Sequence, residues 1–292
     1  MRLPTPLIAV VAVVLVACGA ANGNGAIPTP TPISPPTDAL AGWARFPADH
    51  SPRPVVLIIN ASSPGGFTSD NAKIAALCHK FTLGTVLPTA VPFAANVTWS
   101  TGTTGIYPSI SAAAALAAMK QPGPGTSEPY CVTVQALVVT GARFARSEFL
   151  TDRGTAEIDS WLFRMRGLIG EMVYPALTAE SMWNADMTKG SPDRGSVVSS
   201  DGRTLTFSFY GAPSTNGPCG ADYRGVVAES LAAVAIALQV ISHAKPGDLV
   251  ACSVVAQLRS VEVALANALG GRVVLDETGN VTSVCPSTKP AC

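Results

Sequence analysis

The feature that most constrains the fold of this chain is its set of seven cysteines. Cys18 stands alone near the start, and the others are spread over the rest of the chain: Cys78, Cys131, Cys219, Cys252, Cys285 and Cys292. The later cysteines are even in number, so they can pair completely in an oxidising compartment. They predict a disulfide-stapled domain outside the cytoplasm.

The pairing of these cysteines is not fixed by the sequence alone. Neighbouring pairs close short loops without chain crossings, so the favoured pairing is Cys78–Cys131, Cys219–Cys252 and Cys285–Cys292. The middle pair also depends on secondary structure. Two strands in a hairpin would bring Cys219 close to Cys252, whereas one straight helix of about 20 residues would hold them roughly 30 Å apart.

The first residues have the pattern of an export signal. Arg2 is followed by an apolar run over residues 7–17, which is too short to span a bilayer. Residues 19–37 are rich first in Gly and Asn and then in Pro and Thr, as in a flexible and then extended spacer. These features predict a signal peptide over 1–17, a linker over 18–42 and a globular region over 43–292. That region forms one domain, or two with a boundary near 185–195.

The residues Leu15-Val16-Ala17-Cys18 resemble the lipobox of bacterial lipoproteins. The resemblance implies that Cys18 becomes the first residue of the mature chain and carries a diacylglyceryl thioether. The lipid on Cys18 would then hold the protein on the extracytoplasmic face of the cell membrane. Ordinary signal cleavage among the small residues around Ala17 is the alternative, and it would leave Cys18 without a role.

Three further segments resemble recurring pieces of uncharacterised secreted lipoproteins from high-GC Gram-positive bacteria. They are residues 149–163, 200–205 and 271–276. This resemblance implies an extracytoplasmic location and a β-rich fold, and it supplies no catalytic residue.

The pattern of the chain predicts an α+β, β-rich fold, with antiparallel sheets and a few short helices. The clearest helix covers residues 111–120, where Ser111 is a good N-cap and alanines follow. A second helix is expected over 68–79, capped by Ser69 or Asp70. Its apolar face would carry Ile74, Leu77 and Cys78.

Several strands and turns are expected from apolar runs and turn residues. Residues 54–59 have the pattern of a buried central strand, whereas 82–107 are expected to be irregular. Strands are expected from Cys131 onward, with a turn at 151–154. Hairpins are expected over 197–209, around Asp201-Gly202, and over 271–282.

Residues 221–243 and 252–269 fit both a helical stripe and strand alternation. Strands are chosen for both segments because the resembling lipoproteins place more β-branched residues there, although intrinsic propensity favours helices.

The sequence contains no common nucleophile, zinc, redox or nucleotide motif. Ser242-His243-Ala244-Lys245 matches the Ser-x-x-Lys of penicillin-recognising enzymes, and Ser69-Asp70-Asn71 matches their second motif. Their order is reversed, however, and no Lys-Thr-Gly follows. We therefore assign no catalytic residue.

Other candidate residues have simpler structural interpretations. The three histidines are His50, His79 and His243, and His50 beside Asp49 is interpreted as a solvated surface residue. Residues 276–280 offer oxygen ligands but fit a hairpin turn better than a calcium loop. The tryptophans at 43, 99, 161 and 183 are expected in the core rather than on a sugar-binding surface. No metal and no cofactor is predicted.

The 19 basic and 19 acidic residues cancel, and no basic cluster is present. Neither nucleic acid nor an anionic membrane surface is therefore an expected partner, and the lipid alone is expected to contact the membrane. Two function classes stay open. The favoured one is a lipid-anchored, non-catalytic protein that binds an envelope partner or a small ligand. The alternative is an envelope hydrolase whose catalytic residues are dispersed along the chain.

Overall fold

The structure is a computed structural model, and it describes residues 33–58, 65–122, 128–183, 190–245, 247, 251–252 and 255–290. The helices in these ranges are α1 (Asp38–Ala41), α2 (Asp70–Leu77), α3 (Ala112–Met119) and α4 (Pro129–Thr133), with a 3-10 turn at Ala179–Ser181. The first eight strands are β1 (Gly66–Phe67), β2 (Phe81–Leu83), β3 (Ala95–Trp99), β4 (Thr104–Tyr107), β5 (Leu137–Thr151), β6 (Gly154–Arg166), β7 (Leu168–Ile169) and β8 (Glu171–Pro175). The remaining strands are β9 (Gly190–Val198), β10 (Thr204–Gly211), β11 (Ala221–Glu229), β12 (Ala233–Ser242), β13 (Gln257–Ala264), β14 (Val273–Asp276) and β15 (Val281–Pro286).

The first half of the described chain forms a six-stranded sheet in the order β2-β5-β6-β3-β4, with β8 also paired to β6. Its centre is the long β5–β6 hairpin, in which Thr151 pairs with Gly154. This pairing confirms the turn predicted at 151–154. Helices α2 and α3 pack on the sheet, and their buried alanines belong to the same core as Trp99, Trp161 and Phe163.

Both covering helices begin at serine N-caps. Ser69 Oγ accepts the Ala72 N–H at 3.2 Å, and Ser111 Oγ accepts the Ala114 N–H at 3.1 Å. Each bond satisfies a backbone donor that the first turn of a helix leaves unpaired. Both helices agree with the sequence predictions, but the predicted apolar face of α2 is wrong. Ala72 and Ala75 face the core, whereas Leu77 is largely exposed.

The second half forms a seven-stranded sheet in the order β11-β12-β14-β15-β9-β10-β13. The strands at the two ends of this order lie side by side, since a Cβ on Gly225 of β11 would meet Val263 Cγ1 of β13 at 2.2 Å. The sheet therefore curls around its own core, where Phe207, Phe209 and Ile236 are buried.

The predicted hairpins of this half are confirmed. Strands β9 and β10 pair across the Asp201-Gly202 turn, and β14 and β15 pair across residues 277–280. Strands β11 and β12 form an antiparallel hairpin, and β13 lies within 252–269, so strands are correct for both ambiguous segments.

Both sheets are mixed rather than purely antiparallel. The pairs β2·β5, β12·β14 and β15·β9 are parallel. Each of these pairs joins strands that are separated by other elements in the chain, so no tight turn forces them to be antiparallel.

Residues 54–59 were predicted as a central strand, and this prediction is wrong in its pairing. The residues from Val55 to Ile58 are buried, but they make only isolated bridges, Val55 to Met182 and Leu57 to Thr151. Val55 and Leu57 contact the core of the six-stranded sheet, whereas Val56 and Ile58 contact a third core beside the seven-stranded sheet. The apolar run is explained by burial between two sheets. Ile59 lies outside the described residues.

The expectation that 82–107 are irregular is also wrong, because β3 and β4 form a hairpin there. Residues Cys131 and Val132, which were expected to begin a strand, lie in α4.

The folded part of the chain begins before residue 43, where it was expected to begin. Helix α1 lies inside the expected linker over 18–42, and its Ala39 is buried. The boundary expected near 185–195 stays a prediction, since residues 190–195 belong to β9 and residues 184–189 lie outside the described residues.

A buried ion pair lies where the two sheets meet. Arg53 pairs with Asp152 of the β5–β6 turn, and both side chains are almost fully buried. The Asp152 N–H donates to the carbonyl of Val56, and the Val284 N–H of β15 donates to the carbonyl of Asp152. The β5–β6 turn of the six-stranded sheet is therefore bonded both to residues 53–56 and to the seven-stranded sheet.

Candidate functional site

The connections between neighbouring strands gather at one end of the seven-stranded sheet. Thr204 pairs with Ala264, Ala233 with Val273 and Pro286 with Val198, so all of these strand ends lie together. We call this region the loop end; it comprises residues 199–203, 230–232, 265–272 and 286–288. It forms the candidate functional site because loops held by a rigid scaffold are where binding residues concentrate.

Two open depressions flank residues 265–272 at the loop end. They have volumes of about 490 and 470 Å³. The first is lined by residues 198–202, 269–270 and 286–288. The second is lined by residues 230–232, 267–269 and 271–272 together with Ala44, Phe46, Ala48 and Asp49 of the N-terminal segment.

Arg272 holds the loop between the two depressions in place. Its Nη2 donates to the carbonyls of Asn267 at 2.7 Å and Ala268 at 3.1 Å, and its Nε donates to the carbonyl of Leu269 at 3.2 Å. Its Nη1 donates to the carboxylate of Glu229 at 2.7 Å. One guanidinium group therefore fixes three consecutive carbonyls and a carboxylate, which matches the fixed fork of donors in arginine.

Glu229 completes this arrangement from the end of β11. Its other carboxylate oxygen accepts the Ala266 N–H at 2.7 Å. Burial by itself would raise the pKa of Glu229, but the hydrogen bonds from Arg272 and Ala266 together lower that pKa below its ordinary value. The carboxylate therefore stays ionised and paired at neutral pH.

The N-terminal segment is also attached to this loop. Arg53 Nη1 donates to the carbonyl of Gly271 at 2.6 Å. A Cβ on Gly271 would lie 1.9 Å from the carbonyl oxygen of Ala48, so only glycine allows the two backbones to approach this closely. The loop end is thus fixed from both sides.

The β9–β10 turn carries the hydroxyl and carboxyl groups of the first depression. Ser199 Oγ donates to Asp201 Oδ1 at 2.5 Å, and the Arg203 N–H donates to the same oxygen at 3.0 Å. These bonds lower the pKa of Asp201 from its ordinary value, the one from Ser199 most strongly. The exposed turn therefore offers a stable negative charge beside serine hydroxyls.

The lining of the loop end combines polar and apolar side chains. Within the described residues, no histidine, cysteine or lysine lines either depression. The serines there consequently have no imidazole or amine base beside them, and the neighbouring base of Ser199 is the Asp201 carboxylate. The apolar side chains of the loop end include Leu231, which is almost fully exposed at the rim, and Leu269, which lies between the depressions.

The predicted cysteine sites are only partly within the described residues. The disulfides Cys78–Cys131 and Cys219–Cys252 are present, as the favoured pairing expects. Cys285 is also disulfide-bonded. Its expected partner Cys292 lies outside the described residues, as does the lipidation site predicted at Cys18.

The histidines have structural partners or are solvated. His50 and Asp49 are both exposed, and His79 Nδ1 lies 2.9 Å from the carbonyl of Met119 at the end of α3. His243 Nε2 bonds to Asp222 Oδ2 at 3.0 Å and its Nδ1 to the carbonyl of Thr215 at 2.7 Å. Both ring nitrogens of His243 are therefore occupied.

The two motifs shared with penicillin-recognising enzymes lie on different sheets. Ser69 caps α2 over the six-stranded sheet, whereas Ser242 is the last residue of β12. Ser242 Oγ accepts the Ala244 N–H at 3.2 Å, a local turn contact. The two serines thus serve separate structural roles.

Residues 276–280 form a hairpin turn, as expected. Asp276 Oδ1 accepts the backbone N–H groups of Thr278 at 2.9 Å and Asn280 at 3.0 Å, and its Oδ2 accepts the Asn280 amide at 3.0 Å. These donors occupy the carboxylate. Nowhere in the described ranges do three or more His, Cys, Asp or Glu residues group as metal ligands would.

The tryptophans lie in the cores, as expected from their apolar surroundings. Trp43, Trp99 and Trp161 are buried, and Trp183 packs in the third core against Trp43 and Phe46. They therefore present no stacking surface for a sugar.

The sequence reasoning missed Arg272 and Glu229. The available signal was the Gly270-Gly271 pair directly before Arg272, which marks a close backbone approach next to a long polar side chain. The partner residues lie in other loops, so their meeting depends on the strand order.

Comparison with known proteins adds no family assignment: no family model, curated protein or solved structure matches this chain. No helix in the part of the chain that the structure describes is long and apolar enough to cross a membrane.

Proposed function

We propose that this chain is a lipid-anchored extracytoplasmic protein that binds a ligand or partner of the cell envelope through its loop end. The lipid is attached to Cys18, and the binding involves no covalent chemistry. Cofactors are not part of this proposal.

The observation that carries the binding role is the Arg272 arrangement at the loop end. Arg272 and Glu229 fix residues 265–272 between two open depressions. A loop whose carbonyls are already bonded loses little conformational entropy when a ligand binds. Such pre-organisation supports recognition at this end of the sheet.

The extracytoplasmic location is supported by the disulfides. Cys78–Cys131 and Cys219–Cys252 join different elements in each half of the protein. Disulfides of this structural kind persist in oxidising compartments and are rare in the cytosol. This agrees with the lipobox pattern at residues 15–18.

The non-catalytic role is supported by the surroundings of the histidines and serines. His243 is the histidine with a carboxylate partner, but a backbone carbonyl occupies its second nitrogen. A general base needs a free nitrogen that faces the reacting proton. A fluorophosphonate probe should therefore leave Ser242 unlabelled, and labelling lost in Ser242→Ala would instead favour the hydrolase.

Site-specific photo-cross-linking tests the binding role directly. A benzophenone amino acid at Leu231 or Ser200 places the probe in one of the two depressions. Tyr210 and Leu258 provide matched controls, because they are exposed residues paired near the opposite end of the same sheet. We expect adducts with envelope components from the loop-end positions and none from the controls. Equal cross-linking at both ends would contradict the assignment of the loop end.

A further inference from the structure

We infer that the outward side of the helices and loop that cover the six-stranded sheet docks on an anionic lipid bilayer. This surface, called here the helical face, comprises α2, α3, α4 and residues 83–93. The inference rests on the proposed lipid anchor for its cellular setting, but the surface itself is read from the structure. It departs from the expectation that the lipid alone contacts the membrane, because the charges of the whole chain balance whereas this surface carries more lysines than carboxylates.

The helical face exposes several large apolar side chains. Phe93 is fully exposed, and Val86 and Val132 are largely exposed. Leu77 and Tyr130 add further exposed area beside the Cys78–Cys131 disulfide. Contiguous exposed apolar patches of this kind mark interaction surfaces in soluble domains.

These side chains belong to one continuous surface. Ser109 Oγ donates to the carbonyl of Pro92, which places residues 91–93 beside the start of α3. At the other end of α3, the carbonyl of Met119 contacts His79, next to α2. Lys80 Nζ then donates to the carbonyl of Val132 at 2.9 Å in α4. Contacts therefore lead from Phe93 along α3 to α2 and α4.

The middle of this surface carries no charge. The sequence from Phe81 to Met119 contains no Asp, Glu, Lys or Arg. The exposed residues of α3 are Ala113, Ala114 and Ala117. An uncharged, exposed surface can leave water without the large desolvation penalty that a charged group would bring.

Lysines lie at the margin of the helical face. Lys73 on α2 and Lys120 at the end of α3 are exposed, and Lys80 lies between α2 and α4. The carboxylates on the same elements are Asp70 and Glu128. Apolar side chains that enter the interface, with lysines beside anionic headgroups, form the usual arrangement of a peripheral membrane contact.

A lipid surface fits the helical face better than a second copy of the chain. A symmetric dimer places the same patch on both subunits, so three lysines and only two carboxylates of each copy would meet, with an excess of positive charge on both sides. Like charges at such an interface are repulsive. Anionic headgroups instead complement all three lysines.

The tether allows this contact. Ile33 lies 15 positions after Cys18, so the segment between them would span at most about 46 Å in an extended polyproline conformation. A domain held this close to the bilayer has a high effective concentration there, so weak docking is sufficient.

Vesicle binding by a form of the protein that lacks the lipid tests this inference separately from the proposed lipid anchor. The sequence from residue 19 onward, which contains every described residue and lacks Cys18, is mixed with phosphatidylglycerol–phosphatidylcholine vesicles or with phosphatidylcholine alone. We expect sedimentation with the anionic vesicles and weaker binding at high salt. The double variant Phe93→Ser/Val132→Ser should weaken binding about a hundredfold or more, since burial of each apolar side chain contributes at least about 1.5 kcal/mol. The variant Lys73→Gln/Lys120→Gln should weaken it about thirtyfold, at about 1 kcal/mol for each lysine.

The control variant is Tyr210→Ser/Leu258→Ser, which removes two apolar side chains that are 61% and 67% exposed from the other sheet. It should bind like the parent. A cooperative thermal unfolding transition in each variant shows that the variant is folded. Absence of vesicle binding, or an equal loss in the control, would overturn the inference. A concentration-dependent dimer that Phe93→Ser abolishes would also overturn it, in favour of a second copy. None of these outcomes depends on whether Cys18 is acylated, which mass spectrometry reads independently.

Discussion

At the scale of single residues, Arg272 is the centre of the proposed site. It bonds to the carbonyls of 267–269 and to Glu229, and its side chain is 8% exposed. A buried charge pair of this kind adds little to folding stability compared with an apolar pair of similar size. Removing one partner is costly, however, because the other charge is left buried and unpaired. The conformation of residues 265–272 should therefore depend strongly on both Arg272 and Glu229.

Arg272→Ala should lower the free energy of unfolding by about 3 kcal/mol, because Glu229 loses its partner while it stays largely buried. Arg272→Lys should cost less, since it keeps the charge but loses the planar fork of donors. Urea unfolding gives the difference, and hydrogen exchange should show faster exchange over 265–272.

Arg203→Ala is the matched control for this variant. Arg203 also donates to the same loop, at the carbonyl of Ala266, but it is exposed. Its removal should cost at most about 1 kcal/mol. Equal losses for the two arginines would contradict the role given to Arg272.

His243 makes stability depend on pH. The hydrogen bond to Asp222, followed by the one to the Thr215 carbonyl, raises the pKa of His243 above its ordinary value. A ring that donates to two acceptors must carry both protons. The stabilisation is therefore fully present below the unfolded pKa of about 6.5 and is lost as pH rises through the higher folded pKa.

The melting temperatures of the parent and of Asp222→Asn should consequently differ most at mildly acidic pH. The difference should shrink as the pH rises through the folded pKa of His243. Proton NMR of the His243 ring gives that pKa directly. A difference that grows with rising pH would show that the imidazolium is not the stabilising form.

At the scale of elements, turn chemistry predicted more than periodicity did. The Asp201-Gly202 turn and the turn at 151–154 were found because their residues suit tight turns. Strand β12 could not be decided from periodicity, since Ala233, Val234, Ala235 and Ile236 are all fully buried. Both faces of β12 are covered by apolar cores, so the burial of its residues does not alternate as it does in a half-buried strand.

Other elements were misjudged for related reasons. Residues 55–58 have the same buried pattern as β12 but lie between two sheets and form no ladder. Strand β3 does alternate, with Ala95, Val97 and Trp99 buried, but the surrounding Gly and Thr obscured it. The loop end could not be predicted, because its loops are distant in sequence and meet only through the strand order.

The Cys219–Cys252 disulfide closes the base of the β11–β12 hairpin. It joins residues 33 positions apart in the chain, and next to it Ala221 pairs with Ser242. Replacing both cysteines with serine should lower the free energy of unfolding by up to about 4 kcal/mol, from the entropy that the unfolded chain regains.

Hydrogen exchange locates the effect of this disulfide. The double variant should lose protection mainly in β11 and β12, whereas the matched variant without Cys78 and Cys131 should lose it around α2 and α4. Non-reducing peptide mapping should recover Cys219 linked to Cys252. A link from Cys219 to any other cysteine would refute the hairpin arrangement.

At the scale of the whole molecule, two sheets present different surfaces. The six-stranded sheet carries the helical face, and the seven-stranded sheet carries the loop end. Residues 55–58 and the Arg53–Asp152 ion pair join them. In the proposed setting, a lipid on Cys18 tethers this molecule to the membrane while the loop end binds envelope components.

The mass of the mature N-terminal peptide tests the central claim most directly. The protein isolated from its own cells should begin at Cys18, with the mass increase of a diacylglyceryl thioether. Cys18→Ala should lose this modification and leave the membrane fraction, or retain residues 1–17. A mature chain that begins after residue 18, or one that carries an unmodified Cys18, would contradict the account.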